Sequence, residues 1–346
     1  MDRCKDKRKK VLIINTGGTI GMKSTPNGYA PVPGFLSEAL SRIDDMRRSD
    51  FPLWDLYEMS PLLDSSNMSV DEWNSVAEVI FDNYAGYDGF VVLHGTDTMS
   101  YTASALSFML GNLDKPVVLT GSQIPLSELR SDGRDNLLTS ILIAADGVAR
   151  EVTLCFSGVL LRGNRSMKMS SDGLVAFDSP NYPHLAEVGI TVKYNYSALA
   201  PRGSEGKEIC FRPFSSVPIG VLKIFPGMQF GLFEDMMTEK LSGIVLETFG
   251  AGNIPMGDGN LLPIISKAFG AGTVIAVCSQ CPSGTVTLGA YETSSKLKAA
   301  GAVSGRDMTT EAAVAKLYHL FSSCRDKDEI KRLMETDIAG ELTPLM

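Results

Sequence analysis

Long apolar runs are missing from this sequence. No stretch of 18 consecutive apolar residues occurs in its 346 positions, so no transmembrane helix is expected. Positive charge is also in short supply: 32 Lys and Arg stand against 40 Asp and Glu, a formal charge of −8. That balance argues against an electrostatic grip on nucleic acid or on an anionic membrane. The basic start from Arg3 to Lys10 is the exception, but the apolar run behind it, Val11 to Ile14, is too short for the core of a signal peptide. Histidine is scarce, and none of His94, His184 and His319 lies at metal-ligand spacing to another, which argues against a zinc hydrolase. The six cysteines, Cys4, Cys155, Cys210, Cys278, Cys281 and Cys324, are scattered, as suits a reducing compartment. Cys278-Ser-Gln-Cys281 has redox-motif spacing, yet Pro282-Ser283-Gly284 follows it where a helix should start. There is no fixed-period repeat and no low-complexity tract.

What is present is a globular composition, 44% hydrophobic, in a chain longer than the roughly 250 to 300 residues at which single cores stop growing. The stretch that organises it is Val11-Leu12-Ile13-Ile14-Asn15-Thr16-Gly17-Gly18-Thr19-Ile20-Gly21. Four apolar residues without alternation read as a central parallel strand covered on both faces. Gly17 and Gly18 then let the chain turn sharply and hold the Thr19 hydroxyl in the open. Ligands of open α/β sheets bind beyond such strand ends. As a dinucleotide fingerprint the loop has Thr16 where the first glycine belongs, and as a phosphate-binding loop it has Met22 where Gly should precede Lys23-Ser24. A purely structural glycine turn is the remaining alternative on this segment alone.

The same strand-end chemistry recurs along the chain. Asn27-Gly28-Tyr29-Ala30-Pro31 reads as a mobile surface loop whose tyrosine could simply pack on the surface. Phe35 to Arg42 reads as a helix, and Trp54 to Met59 as a second strand that leads to Asp64-Ser65-Ser66-Asn67. Ser69 and Glu72 supply a capping box for a helix over Val70 to Asn83, so Ser65 and Ser66 lie upstream of the cap with hydroxyls available to a ligand. Phe90 to Leu93 gives a third strand ending in His94-Gly95-Thr96-Asp97-Thr98, before a helix over Tyr101 to Leu110 that Asp97 could merely cap. Lys115 to Leu119 gives a fourth strand, ending in Thr120-Gly121-Ser122-Gln123. Three strand ends with Thr or Ser beside Gly exceed what capping needs.

Arg130 to Asn136 reads as a charged connection, Leu137 to Ala145 as a helix, and Val152 to Phe156 with Val159 to Leu161 as a hairpin around Ser157-Gly158. Lys168 follows in a polar loop. Pro201, Gly203, Gly206 and Pro213 mark an interdomain linker. Strands at Gly220 to Phe225, Gly243 to Leu246 and Thr273 to Cys278, with helices near 231–240, 260–269, 293–300 and 309–322, predict a second, smaller parallel α/β domain. The boundaries are residues 1–194, a linker at 195–217, and 218–346.

A threonine hydroxyl is a weak nucleophile until one group accepts its proton and another stabilises the oxyanion. No serine-hydrolase order of His, Asp and Ser is evident. A partly desolvated lysine beside a threonine and a carboxylate can act as base, since burial lowers its pKa. Thr96, Asp97 and Lys168 have that chemistry, although nothing in the spacing brings Lys168 to the strand ends.

Thr16-Gly17-Gly18-Thr19-Ile20-Gly21, His94-Gly95-Thr96-Asp97-Thr98 and Lys115-Pro116 through Gly121-Ser122 resemble the signature blocks of the bacterial-type L-asparaginases. Leu63-Asp64-Ser65-Ser66, Tyr101 to Phe108, Ser122-Gln123-Ile124-Pro125-Leu126 and Gly340-Glu341-Leu342-Thr343-Pro344 resemble the cytoplasmic type I subgroup. The resemblance covers nearly the whole chain. It implies a larger flavodoxin-like and a smaller Rossmann-like parallel-sheet domain, a homodimer or homotetramer, a cytoplasmic location, and hydrolysis of L-asparagine without metal or organic cofactor. Thr19 matches the nucleophile that forms a β-aspartyl ester, and Tyr29 the lid tyrosine that contacts it. Thr96, Asp97 and Lys168 match a second triad that prepares water or relays the proton. Asp97 also matches the residue that binds the substrate's α-ammonium, Ser65 and Ser66 the α-carboxylate pocket, Ser122 a contact to the amide oxygen, and Asn253 a contribution from a neighbouring subunit. Where some type I enzymes hold an arginine that grips a second, regulatory asparagine, this sequence has Glu247, and Met167 replaces a possible hydroxyl; Cys281 keeps one feature of that site. The alternatives are a glutaminase-asparaginase of the same fold, an asparaginase-like transamidosome subunit, for whose extra domain the ten residues before Val11 leave no room, and a nucleotide-binding α/β module.

Overall fold

The computed structural model describes residues 8–26, 28–201, 206–256 and 261–344. Most of the basic start, including Cys4, lies outside the described residues, as do Asn27, Gly203 and position 260 of the helix expected from there. The chain divides into two units, one comprising residues through Ser179 with Pro183–Phe211, the other Pro180–Tyr182 with Arg212–Met346.

The first unit is built on an eight-stranded sheet in the order Val192–Tyr194, Ala186–Val188, Val159–Arg162, Val152–Phe156, Val117–Thr120, Gly89–Leu93, Lys10–Gly17, Leu53–Leu63. From Val152–Phe156 to Leu53–Leu63 every pairing is parallel, and the remaining three pairings are antiparallel. Every residue of Gly89–Leu93 and Val117–Thr120 is buried. Successive side chains point to opposite faces, so both faces are covered, as the unalternating apolar runs predict. The Ser157-Gly158 turn closes the antiparallel hairpin with φ of 47° and 79°, the left-handed pair that a two-residue hairpin turn requires.

The second unit carries a four-stranded sheet, Ile219–Lys223, Gly243–Thr248, Val274–Ser279 and Val303–Ser304, in sequence order and all parallel. Leu261–Ala271 buries Leu261, Ile264, Ile265 and Ala268 against it, the spacing of one helix face. An ion pair between Lys316 and Glu341, 2.5 Å and fully buried, ties the C-terminal segment to the Thr310–Ser323 helix. Lys316 also donates to the carbonyls of Met334 and Thr336, and Glu341 accepts from the amides of Ile338 and Ala339. Such saturation is what makes a buried pair tolerable.

Several local expectations change. The capping box at Ser69 and Glu72 forms, and its helix spans Val70–Asn83. The segment read as a surface loop is instead the second strand of a hairpin, Met22–Thr25 with Gly28–Pro31. The helix expected from Leu137 begins at Gly133, one turn earlier, inside the charged stretch Arg130 to Asn136. Residues 231–240 form a 3-10 turn, Phe230–Phe233, and a π-helical turn, Met236–Lys240, in place of an α-helix. A helix at Lys327–Met334 is additional; only Ile330 and Met334 of its eight residues are buried, too few to mark a helical period in the sequence. Cys210–Phe211, inside the glycine- and proline-rich stretch, pairs with Leu110–Gly111.

Candidate active site

The carboxyl ends of four adjacent parallel strands converge, and glycine makes the convergence possible. A Cβ on Gly17 (φ 115°) would strike the Leu63 carbonyl, one on Gly18 (φ 82°) the Gly95 backbone, one on Gly95 the Ser65 side chain, and one on Gly121 the His94 carbonyl. The loops therefore stack backbone against backbone, closer than any side chain allows. Hydrogen bonds fix the stack: Thr16 Oγ1 donates to the Leu93 carbonyl at 2.9 Å, the Gly18 amide to Leu63 at 3.1 Å, and Thr98 Oγ1 to the Ser65 carbonyl at 2.8 Å.

At the centre of this platform Thr96 is 6% exposed. Its Oγ1 accepts from Lys168 Nζ at 2.8 Å and donates to Gln123 Oε1 at 3.0 Å. Lys168 Nζ also donates to Asp97 Oδ1 at 2.6 Å. Lys168 is brought there by a two-residue antiparallel ladder, Met167–Lys168 with Phe177–Asp178, which follows a buried 3-10 turn at Gly163–Arg165. Its side chain is 17% exposed, whereas that of Asp97 is 68% exposed and turned to solvent. The helix after Asp97 is capped at Thr98 without a side-chain cap bond, so the Asp97 carboxylate is not consumed as a cap.

The other candidate residues are distributed as follows. Thr19 opens a 3-10 turn, Thr19–Gly21, half-buried, and its hydroxyl makes no hydrogen bond among the described residues. Tyr29 is 51% exposed on the hairpin, and its hydroxyl donates to Glu128 at 3.0 Å, an acceptor that raises its pKa. The structure records that bond and none from Tyr29 to Thr19. Ser65 is buried under the loop stack, and the exposed Ser66 donates its hydroxyl to Asp64 at 3.0 Å. Ser122 is fully buried, with no hydrogen-bond partner for its hydroxyl among the described residues. Asn253 belongs to the second unit, where its Oδ1 accepts from Thr293 at 2.8 Å.

Gln123, Asp132, Asn136 and His94 are the residues that sequence reasoning left without a role. Asp132 accepts from the amides of Gln123 and Ile124, and Asn136 donates to the Gly121 carbonyl, so the helix from Gly133 pins the loop that carries Gln123. An Asp and an Asn four residues apart at a helix start were the available signal. His94 is 1% exposed, and burial lowers its pKa from 6.5 to about 4. Among the described residues no group of three or more His, Cys, Asp and Glu could hold a metal ion. Cys278 and Cys281 are both free, and burial pushes the Cys278 thiol up to about 12, the reverse of a reactive redox cysteine.

Residues 10–200 match the family model of the asparaginase N-terminal domain, and residues 218–334 that of the glutaminase/asparaginase C-terminal domain. The chain belongs to the asparaginase family. It is 44% identical over 337 residues to L-asparaginase 1 of Escherichia coli strain K12, covering 97% of this chain and 99% of that one. Among solved structures, it is similar to L-asparaginase I from Vibrio cholerae, with a TM-score of 0.89 at 40% identity over 97% of this chain and all of the other. The thermostable L-asparaginase of Thermococcus kodakarensis gives a TM-score of 0.87 at 35% identity, covering 97% and 100%. Family membership agrees with the fold, a large, dominantly parallel sheet and a separate smaller one.

Proposed function

We propose that this chain hydrolyses the side-chain amide of L-asparagine to L-aspartate and ammonia. The observation that carries the reading is the Lys168–Thr96–Asp97 cluster, a buried hydroxyl bonded to an amine and flanked by an exposed carboxylate, on the same loop platform as the unpaired Thr19 hydroxyl. In the first half-reaction Thr19 Oγ attacks the amide carbon, its proton passes to a base, and the tetrahedral intermediate collapses as protonated nitrogen leaves as ammonia. The product is a β-aspartyl ester on Thr19. In the second, water attacks the ester carbonyl as its proton passes through Thr96 towards the Lys168 amine, and a proton returned to Thr19 Oγ lets the threonine leave as the carbonyl re-forms to give aspartate. Lys168 fits that role by position, its amine hydrogen-bonded to Thr96 Oγ1 at 2.8 Å and its side chain only 17% exposed.

Asp97 has the exposure and charge to take the substrate's α-ammonium. The family resemblance assigns Ser65 and Ser66 to the α-carboxylate, Tyr29 to a cover over Thr19 and Ser122 to the amide oxygen. Asn253 is assigned to the pocket of a second copy, in a homodimer or homotetramer working in the cytoplasm. No helix among the described residues is long and apolar enough to cross a membrane. Ammonia release measured with L-asparagine and L-glutamine in parallel tests the reading. Turnover on asparagine supports it, faster turnover on glutamine reassigns the substrate, and none on either, with a thermal shift on adding ATP, overturns it.

A further inference from the structure

The His94-Gly95 peptide is the hub of the loop platform. The His94 amide donates to the Thr120 carbonyl at 2.9 Å, the Gly18 backbone packs on Gly95, Ser65 packs on Gly95 from another side, and Gly121 packs on the His94 carbonyl. Thr19 follows Gly18 and Thr96 follows Gly95, so the placement of the His94-Gly95 backbone bears on where both hydroxyls stand. Inside the core a chain of side chains ends on the next peptide, at the Gly95 carbonyl that leads into Thr96. Trp73 Nε1 donates to Thr102 Oγ1 at 3.0 Å, Thr102 Oγ1 lies 2.8 Å from His94 Nε2, and His94 Nδ1 lies 2.8 Å from the Gly95 carbonyl.

The directions in that chain are forced. A carbonyl only accepts, so Nδ1 carries the hydrogen; a neutral ring then leaves Nε2 as acceptor, and the Thr102 hydroxyl, already accepting from Trp73, spends its own proton on Nε2. Thr102 is fully buried and the ring nearly so, which keeps water from competing for either nitrogen. We infer that His94 is a positioning residue for both threonines, held in its Nδ1–H tautomer by Thr102 so that it clamps the Gly95 carbonyl and with it the Gly18–Thr19 and Thr96 loops. The low ring pKa, set by burial, agrees with the neutral ring that this arrangement needs. A ring that merely filled space would serve equally well in either tautomer.

The inference rests on the asparagine-hydrolysis reading, and the test separates the two. Nitrogen-15 NMR of the imidazole-labelled wild-type protein near pH 7 should show His94 neutral with hydrogen on Nδ1; an Nε2–H tautomer overturns the proposal whatever the substrate. In kinetics of ammonia release from asparagine, Thr102→Val should lower kcat about 10- to 100-fold, the cost of a sub-ångström to ångström misplacement, with KM moved less than about threefold. Thr102→Ser, which keeps the donor, should restore kcat. Wild-type kcat in folded Thr102→Val overturns the positioning role, as does a lowered melting temperature with kcat untouched. If Thr102→Val does not fold, Thr102→Ser and the tautomer decide, and a Thr102→Ser enzyme with kcat as low as a His94→Asn variant overturns it. A wild-type protein that releases no ammonia sinks the functional reading and leaves the tautomer measurement standing.

Discussion

Lys168 donates a 2.8 Å hydrogen bond to Thr96 across 72 positions of sequence. The same amine bonds Asp97, so one lysine joins the hydroxyl that would handle water to the carboxylate that would hold substrate. Because Thr96 sends its own proton to Gln123, its lone pairs face Lys168, and the proposed relay asks the Thr96 hydroxyl to turn from Gln123 to the amine.

Replacing that amine should therefore stop the relay without unmaking the fold. Lys168→Met should lower turnover by roughly 10² to 10⁴, the span for a lost general base. A variant that keeps its melting temperature and its wild-type kcat would show that another group does this work.

Thr19→Ala should leave a folded protein with negligible ammonia release. The turn is made by Gly17 and Gly18, whose positive φ and backbone contacts do not involve the Thr19 side chain, so only the hydroxyl is lost. Mass spectrometry of acid-quenched wild-type enzyme should show an aspartyl adduct on Thr19 that the variant lacks. Retained turnover in Thr19→Ala would refute the assignment.

The strand ends were legible because each is a run of buried aliphatic residues cut off by Gly beside Thr or Ser, a pattern set locally by sheet burial and turn geometry. Lys168 was legible as chemistry but not as position, since a two-residue ladder at Met167–Lys168 carries almost no sequence signal. Gln123 and Asn136 act through amide geometry, which any surface glutamine or asparagine would match in a sequence. The Met22–Thr25 hairpin was hidden because one of its strands, Gly28–Pro31, mixes Gly and Pro with a single aromatic, the composition of a loop. The turn at Met236–Lys240 reads Met-Met-Thr-Glu-Lys, residues an α-helix accepts equally, so nothing local distinguishes a π from an α turn there.

Two buried histidines give the protein a defined acid response. Burial lowers both His94 and His319 from 6.5 to about 4. Above pH 6.5 each is neutral folded and unfolded, and no stability is at stake. Below it the unfolded chain binds protons that the folded one refuses, so stability falls as pH drops from about 6.5 to 4, by at most about 3 kcal/mol per histidine. Urea denaturation at intervals between pH 4 and 8 should show His319→Asn with a shallower loss than wild type over that window. Superimposable slopes would mean the ring protonates in the folded state.

The kinetics should be hyperbolic. The resemblance places an arginine for a regulatory asparagine where this chain has Glu247, and the structure sets that carboxylate near another, Glu311, with Lys223 as its cross-strand partner. Glu247 Oε1 accepts from Thr310 Oγ1 at 2.6 Å, which fixes it at the start of the Thr310–Ser323 helix. Its neighbour Glu311 has its pKa raised, first by burial and further by Glu247 itself. An arginine fork attracts an effector's carboxylate with two charge-assisted bonds, whereas this pair repels one, a reversal that weakens binding by orders of magnitude. Initial rates over a wide range of asparagine concentration should fit a Hill coefficient of one, and Glu247→Arg should leave that coefficient unchanged unless Thr310 and Glu311 are also rebuilt, because a new arginine would spend its charge on Glu311. A wild-type coefficient clearly above one would count against this account and show that cooperativity here is carried without an arginine at position 247.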